Sequence, residues 1–418
     1  MPYKKANPRQ NRRPNPPRNE PPRSPQAQAS SRPEDAPIVL HTPSSPRSFR
    51  CGHVTLTGQP NVGKSTMLNR LVGDKIAIVS PKPQTTRDQI RGIWSGTDTQ
   101  VVFLDTPGIH RARTPLNRAM VGLAIEALES VDVVVLVVDA QVAAKHIEQQ
   151  QKYQQRQANY IKTARGTTAD NEVTAGHCAQ EETAADEDAA AVDEASAVDE
   201  ASTVDEDPAQ APVNNVFLNL GIVPGDRRVI HNILRYNQKW MIALNKTDAV
   251  KHVRLLPVLQ AYGSAPGVGA IVPVSARSGD GLAQMLQAIR AYLPERPAEY
   301  AADELTDRSV RFLCAELVRE QVFLQTQEEV PYGVACEVEQ FAELPDLTHL
   351  QILVHVEKPA QRAILVGAGG QRMKAIASAA RLGMEHLLGR KVFLEVHVRV
   401  EPDWSNRVEM LKQFGYIL

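Results

Sequence analysis

Cysteine is scarce in this chain, and its four residues, Cys51, Cys178, Cys314 and Cys336, show no C-x-x-C spacing. That excludes the usual zinc ligand sets and a disulfide framework, and it points to a reducing compartment. Cys178 stands beside His177 with no further partner at ligand spacing. Long apolar runs are missing too: the longest, 133–138, has the length and composition of a buried parallel strand, far short of the ~18 to 20 residues of a membrane span. No secretory signal pattern is present, so any membrane contact is expected to be peripheral. Net charge is almost nil, with 47 Lys and Arg against 48 Asp and Glu, but its distribution is uneven. Residues 166–211 hold no Lys or Arg and 14 Asp or Glu, with a near-repeat beginning at Val192, Val198 and Val204. A six-residue period is too short for a solenoid unit, and such a polar, acidic tract is expected to be disordered. It reads as a solvated spacer or as a polyanion competing for some basic surface.

Acidic residues are the scarce ones at the other end. Residues 1–50 contain three, against ten Lys or Arg and 12 prolines. Such a segment cannot bury a core and is expected to be a disordered, basic, Pro-rich arm. An Arg-rich, acid-poor N-terminus also raises a transit peptide, but the prolines deny it the amphipathic helix that function needs.

What is present begins at an apolar run, 53–57, followed by Gly58, Gln59, Pro60, Asn61, Val62, Gly63, Lys64 and Ser65 and then an amphipathic stretch, 66–72. Strand, glycine loop and helix in this order form a phosphate-binding loop, in which backbone N–H groups and a helix N-terminus face a di- or triphosphate. Lys64 is expected to reach the β- and γ-phosphates and Ser65 to ligate Mg²⁺. Asp105, Thr106, Pro107 and Gly108 follow the run 101–104. Asp105 is placed to hold Mg²⁺ through a water, and the Gly108 N–H to meet a γ-phosphate only when one is present. The segment 83–87 reads as the second switch, with Thr85 or Thr86 as a further metal ligand; spacing does not choose between them.

Guanine is read from Asn245, Lys246, Thr247 and Asp248, placed after the apolar run 240–244. One carboxylate can accept from both donors on the guanine edge, a pair adenine lacks. Ser275 and Ala276 end another apolar run, where a backbone N–H can meet the guanine carbonyl oxygen. Ile109 follows Gly108 where Ras-type enzymes carry a water-orienting Gln, so slow intrinsic hydrolysis of GTP to GDP and phosphate is expected. Asn61 either holds a monovalent cation such as K⁺ against the phosphates or bonds its own loop.

Strands near 53–57, 101–104, 132–139, 240–244 and 270–274 alternate with helical patterns at 64–72, 117–129, 226–236 and 281–292. This is an α/β, doubly wound P-loop GTPase domain over 51–296, interrupted by an insertion at about 141–224 that starts as a Gln-rich helix. A linker, 297–308, leads to an α+β unit over 309–418: helix, two strands, a helix from Pro359, a turn at Gly367, Ala368, Gly369 and Gly370, a second helix, and a last strand. Glycines at both ends of a four-residue turn between helices are how KH domains bring backbone close to single-stranded nucleotides. Ile364, Val366, Ile376 and residues of 350–356 are expected to form its apolar cradle. Arg372, Lys374, Arg381, Arg390 and Lys391 supply positive charge.

Together G-x-P-N-V-G-K-S-T, the run from Ser80 to Gly92, Asp105 to His110, N-K-x-D, Leu305 to Ser309 and the KH segment closely resemble the bacterial Era family, the TrmE-Era-type GTPases with a C-terminal type II KH domain. The resemblance covers roughly 50–140 and 225–418. It implies binding of GTP or GDP by the residues named, and binding of the 3′ region of 16S rRNA by the KH unit in 30S ribosomal subunit assembly and rRNA maturation. It also implies a monomer in the cytoplasm with peripheral inner-membrane association. The arm and the insertion depart from the family pattern, as does Ala368, where Lys is common. A structural RNA-binding protein that uses GTP only as a fold-stabilising ligand, and an ATP-dependent small-molecule kinase, are the alternatives.

Overall fold

The structure, a computed structural model, describes residues 48–82, 85–108, 114–169, 221–236 and 239–416. Most of the expected arm, the acidic tract, Pro83, Gln84 and Ile109 lie outside the described residues.

A six-stranded sheet forms the first half. In chain order it comprises β1 (Arg50–Thr57), α1 (Lys64–Val72), β2 (Ile90–Ser95), β3 (Thr99–Asp105), α2 (Pro115–Ser130), β4 (Val133–Asp139), α3 (Ala140–Ala169), α4 (Pro224–Tyr236), β5 (Trp240–Asn245), α5 (His252–Gly263), β6 (Val268–Pro273) and α6 (Leu282–Tyr292). The strand order is β2-β3-β1-β4-β5-β6, with only the β2–β3 pair antiparallel. Strand β4 shows why the sheet sits in the middle. Val134, Leu136 and Val138 enter a core shared with α2, α3, α4 and α5, while Val133, Val135 and Val137 enter the core under α1 and α6. Period-two side chains that are apolar on both faces have no stable place except between two helical layers. The phosphate loop and the guanine tetrapeptide then fall at carboxyl ends of β1 and β5, on one edge of the sheet.

Two elements went unread in the sequence, the antiparallel β2 and the helix α5, whose pattern is broken by Pro257. The expected insertion also starts too early. Ala140, Ala143, Ala144 and Ile147 of α3 and Ile222 before α4 are buried in the domain core, so the first turns of α3 belong to the nucleotide domain. Small residues and a single Ile among glutamines gave too weak a stripe to be recognised.

The second half runs α7 (Val310–Gln325), β7 (Val334–Glu343), β8 (Leu347–Val356), α8 (Pro359–Val366), α9 (Gln371–Leu388), β9 (Lys391–Val400) and α10 (Val408–Gln413). Its sheet is ordered β7-β8-β9, with β7–β8 antiparallel and β8–β9 parallel, and α7 and α9 cover one face. That burial corrects the apolar cradle: Leu350, Ile352, Val354, Val356 and Ile376 lie in the core of this unit and cannot line an open surface. Ile364 is exposed and Val366 partly so, beside the glycine turn.

Candidate nucleotide site and nucleic-acid turn

Gly58 (φ 144°) and Gly63 (φ 99°) bend the phosphate loop, and each also makes room. A methyl group on Gly58 would be driven into the Val137 carbonyl oxygen, and one on Gly63 into the Asn245 side-chain amide. Asn61 itself takes a positive φ of 63°, a conformation Asn tolerates better than most residues. The side chain of Lys64 is folded back on the loop, its Nζ donating to the Gly58 carbonyl at 3.1 Å and the Gln59 carbonyl at 2.9 Å. Burial lowers its pKa to about 8, against the opposing pull of the Asp105 carboxylate. Pro60 faces Gly108 across the cleft, and Val62 is buried.

Three oxygen ligands converge next to the lysine. Ser65 Oγ donates to Asp105 Oδ2 at 2.6 Å, Thr86 Oγ1 reaches the same carboxylate oxygen at 3.2 Å, and the two hydroxyls are 2.9 Å apart. Asp105 is fully buried, which pushes its pKa up, and its Oδ1 has no hydrogen-bond partner. Two hydroxyls and an under-satisfied carboxylate, all hard oxygen donors at one point, suit Mg²⁺. Thr85 does not join them: its hydroxyl donates to the Lys82 carbonyl at 2.8 Å and lies 3.0 Å from Ser80 Oγ. Of the two threonines the geometry therefore brings only Thr86 to Ser65 and Asp105. Thr106 is buried, bonded to the Leu56 carbonyl, and Pro107 is buried with it.

On the far side, Asn245 ties three segments. Its Nδ2 donates to the Val62 carbonyl at 2.8 Å and its Oδ1 accepts the Ala276 N–H at 2.9 Å. Both backbone N–H groups of the Ser275–Ala276 pair are thus engaged within the protein, that of Ser275 with the Asp280 carbonyl at 2.9 Å. Lys246, at φ 64°, donates to the Asn61 carbonyl at 2.8 Å and to Asp139 Oδ2 at 2.6 Å. Thr247 Oγ1 donates to the Val274 carbonyl. Ser275 Oγ donates to Asp248 Oδ1 at 2.8 Å, which holds this exposed carboxylate in place. A cleft of about 410 Å³ opens among Asn61, Lys64, Ser65, Thr86, Gly108 and Lys246. Asp139 was missed in the sequence, although an acid at the carboxyl end of a valine strand was its signal.

The KH turn is built differently. Gly367, Gly369 and Gly370 all have positive φ (72°, 57° and 75°), and a side-chain carbon on Gly369 or Gly370 would meet open space. Ala368 is exposed between them. Arg372 donates to the Ile364 carbonyl at 2.8 Å and so closes the end of α8, while Lys374 is exposed on α9. Arg381 pairs with Glu385, and Arg390 bonds the Leu344 and Pro345 carbonyls.

Comparison with known proteins agrees with both halves. A family model described as a 50S ribosome-binding GTPase matches residues 53–167, and a KH domain model matches 329–405. The GTPase Era of Geotalea uraniireducens is 36% identical over 371 residues, covering 88% of this chain and 99% of that protein. The GTPase Era of Syntrophus aciditrophicus is 32% identical over 370 residues, with 88% and 95% covered. The chain belongs to the Era family of GTPases. Among solved structures, Era in complex with MgGDPNP and nucleotides 1506–1542 of 16S ribosomal RNA is 29% identical, with a TM-score of 0.68 over 88% of this chain and 100% of that one. A variant of Aquifex aeolicus Era bound to GDP and AlF₄⁻ is 28% identical, with a TM-score of 0.67 and the same coverage.

This Era-family chain joins the segment before β2 to its KH half through Arg87, the residue after Thr86. The guanidinium is 2% exposed and donates to the Val334, Tyr332 and Pro331 carbonyls at 2.6, 2.8 and 3.1 Å, between the rings of Phe323 and Tyr416. Lys82 donates to the Phe323 and Thr326 carbonyls, and Glu320 of α7 accepts from Lys75 and from the Val79 N–H. Asp88 is buried beside Glu316; burial first, then that like charge, pushes its pKa up to about 7 against Arg319, Arg308 and Arg87. Lys82, Arg87 and Asp88 fall within the run from Ser80 to Gly92, but nothing in that run points to partners some 240 positions away.

Proposed function

We propose that the chain is a Mg²⁺-dependent GTP-hydrolysing switch whose KH domain holds the 3′ region of 16S rRNA and releases it during 30S subunit assembly and rRNA maturation. One observation carries the reading: Thr86 is bonded to Asp105 beside Ser65 while its neighbour Arg87 is buried in the KH half. A γ-phosphate that orders or frees Thr86 therefore acts directly on the residue that grips the backbone leading into β7. The relative solved with MgGDPNP and 16S rRNA nucleotides supports both ligands.

In this reading Lys64 neutralises charge on the β- and γ-phosphates, the backbone from Gly58 to Ser65 cradles them, and the Gly108 N–H reports the γ-phosphate. Ser65 and Thr86 would hold Mg²⁺, with Asp105 behind them through a water. The ion supplies charge stabilisation on the transferring phosphoryl group. Asp248 reads the guanine edge beside Lys246, Thr247 and Ser275. Gly367 to Gly370 offer backbone to the RNA, with Arg372 and Lys374 at its phosphates. Ile109 cannot orient water, so turnover is slow. Asn61 holds K⁺, which makes hydrolysis faster in K⁺ than in Na⁺ at equal ionic strength.

The domain plan is a GTPase unit over 51–296 with an insertion between Ile147 and Ile222, a linker at 297–308 and the KH unit over 309–418. The protein acts as a monomer in the cytoplasm and touches the inner membrane peripherally, which vesicle flotation and light scattering check. The deciding experiment is crosslinking in cells with sequencing of the bound RNA, paired with GTP hydrolysis of the purified chain under ATP competition. Reads outside the 3′ region of 16S rRNA, or hydrolysis that ATP suppresses, overturn the reading. RNA binding without any hydrolysis favours GTP as a fold-stabilising ligand.

A further inference from the structure

The Gln59 side chain leaves the phosphate loop for the start of α4, where its Nε2 donates to Asp226 Oδ1 at 2.7 Å. Asp226 is 2% exposed, and its other oxygen accepts from the hydroxyl of Tyr262 on α5 at 2.6 Å. That hydroxyl, on a fully buried side chain, accepts in turn from the Val223 N–H at 3.3 Å. Gly225 leaves the space the Gln59 amide occupies, since a methyl group there would collide with it. The backbone carbonyl of the same Gln59 is one of the two on which Lys64 Nζ rests. A carboxylate taken out of water is costly unless it is fully bonded. Here it is bonded to the phosphate loop on one side and to a rigid core tyrosine on the other.

We propose that Asp226 and Tyr262 are positioning residues for the phosphate loop: they fix Gln59 and, through its carbonyl, the position of Lys64. The inference rests on the reading of this site as the GTP site. A loop held in shape loses less freedom when the γ-phosphate binds, so the strut acts on triphosphate affinity more than on fold. Asp226 touches no phosphate; it acts through Gln59.

The test uses the full chain with Gln59→Ala, Asp226→Ala, the two combined, and Tyr262→Phe. Affinities for GDP and for a non-hydrolysable GTP analogue are measured with Mg²⁺, alongside Tm. Loss of one hydrogen bond at the strut should weaken the analogue by about fivefold to tenfold in either single variant, with GDP affected less. The double variant should be no worse than the poorer single, because both remove the same link. Tyr262→Phe deletes one hydroxyl from an otherwise intact core and should weaken the analogue by about twofold to threefold, which keeps the proposal testable if Asp226→Ala does not fold. Additive losses in the double variant, or a lower Tm with unchanged analogue affinity, overturn it. A wild-type chain that binds no guanine nucleotide overturns the site reading and this inference together. Wild-type binding that Tyr262→Phe leaves unmoved overturns this inference alone.

Discussion

In the phosphate loop Gly58 and Gly63 stand at φ 144° and 99° with the Val137 carbonyl and the Asn245 amide against them. In the KH turn Gly369 and Gly370 stand at φ 57° and 75° with nothing against them. Both loops need glycine, but for separable reasons. The first is glycine because the protein itself fills the space, and the loop is bonded to Asn245, Lys246 and Lys64. The second is glycine for its backbone angle and for the bareness it presents outward. The difference teaches that the nucleotide site is tied into its domain's core, whereas the KH turn is packed only at Gly367, against Arg372, and open at Gly369 and Gly370.

The largest effect expected from that contrast is Lys64→Ala. Removing a charge-assisted donor to the β- and γ-phosphates should cost ~3 kcal/mol, roughly 100-fold or more in GTP affinity, with RNA binding by the nucleotide-free chain unchanged. Fluorescent-nucleotide titration measures it, and unaltered affinity would break the phosphate-loop side of the comparison. Next comes Arg87→Ala, which leaves the Pro331, Tyr332 and Val334 carbonyls without their buried donor. A loss of about 2–3 kcal/mol is expected in denaturant unfolding, with the KH half loosening first in hydrogen exchange. Uniform loosening of both halves would show that Arg87 is no link between them. Third, Gly369→Asp with Gly370→Asp should weaken RNA binding by roughly tenfold or more through blocked approach and added negative charge. Neither Asp side-chain carbon meets the protein, so GTP affinity should hold. RNA affinity that survives would move the RNA site off this turn.

The sequence was legible where function is contiguous. Gly58 to Ser65 and Asn245 to Asp248 are runs read on a single strand end, and α1 appears as Lys64–Val72, with its motif in place. It was illegible where function depends on partners remote in the chain. Thr85 and Thr86 are indistinguishable as letters; Ser65 and Asp105 select Thr86, and Lys82 takes Thr85. Gln59 looked like one more loop residue until Asp226, 167 positions on, met its side chain. Arg87 resembled a switch-segment charge, and its burial between Phe323 and Tyr416 is a property of two halves together. The KH cradle failed for a different reason. Apolar alternation in 350–356 announces a buried face without saying that α7 and α9 cover it, so the pattern that marked the strand could not mark an open surface.

The smallest effect sharpens the comparison most. Gly370→Ala adds only a methyl group, and that methyl meets open space, so the one penalty left is backbone strain at φ 75°. A left-handed Ala costs about 1 kcal/mol, a change that should lower Tm slightly and reduce RNA affinity by less than about fivefold. The matching substitution Gly58→Ala meets the same class of strain plus the Val137 carbonyl oxygen, and it should disable nucleotide binding. Both are read in one experiment, with GTP and RNA titrations and a melt on each variant. If Gly370→Ala proves as damaging to RNA binding as the double Asp change, the turn is used through exact steric contact and not merely through its bend, and the two loops are more alike than their neighbours suggest. If Gly58→Ala binds GTP normally, the Val137 carbonyl must yield to it, and the rigid half of the comparison fails.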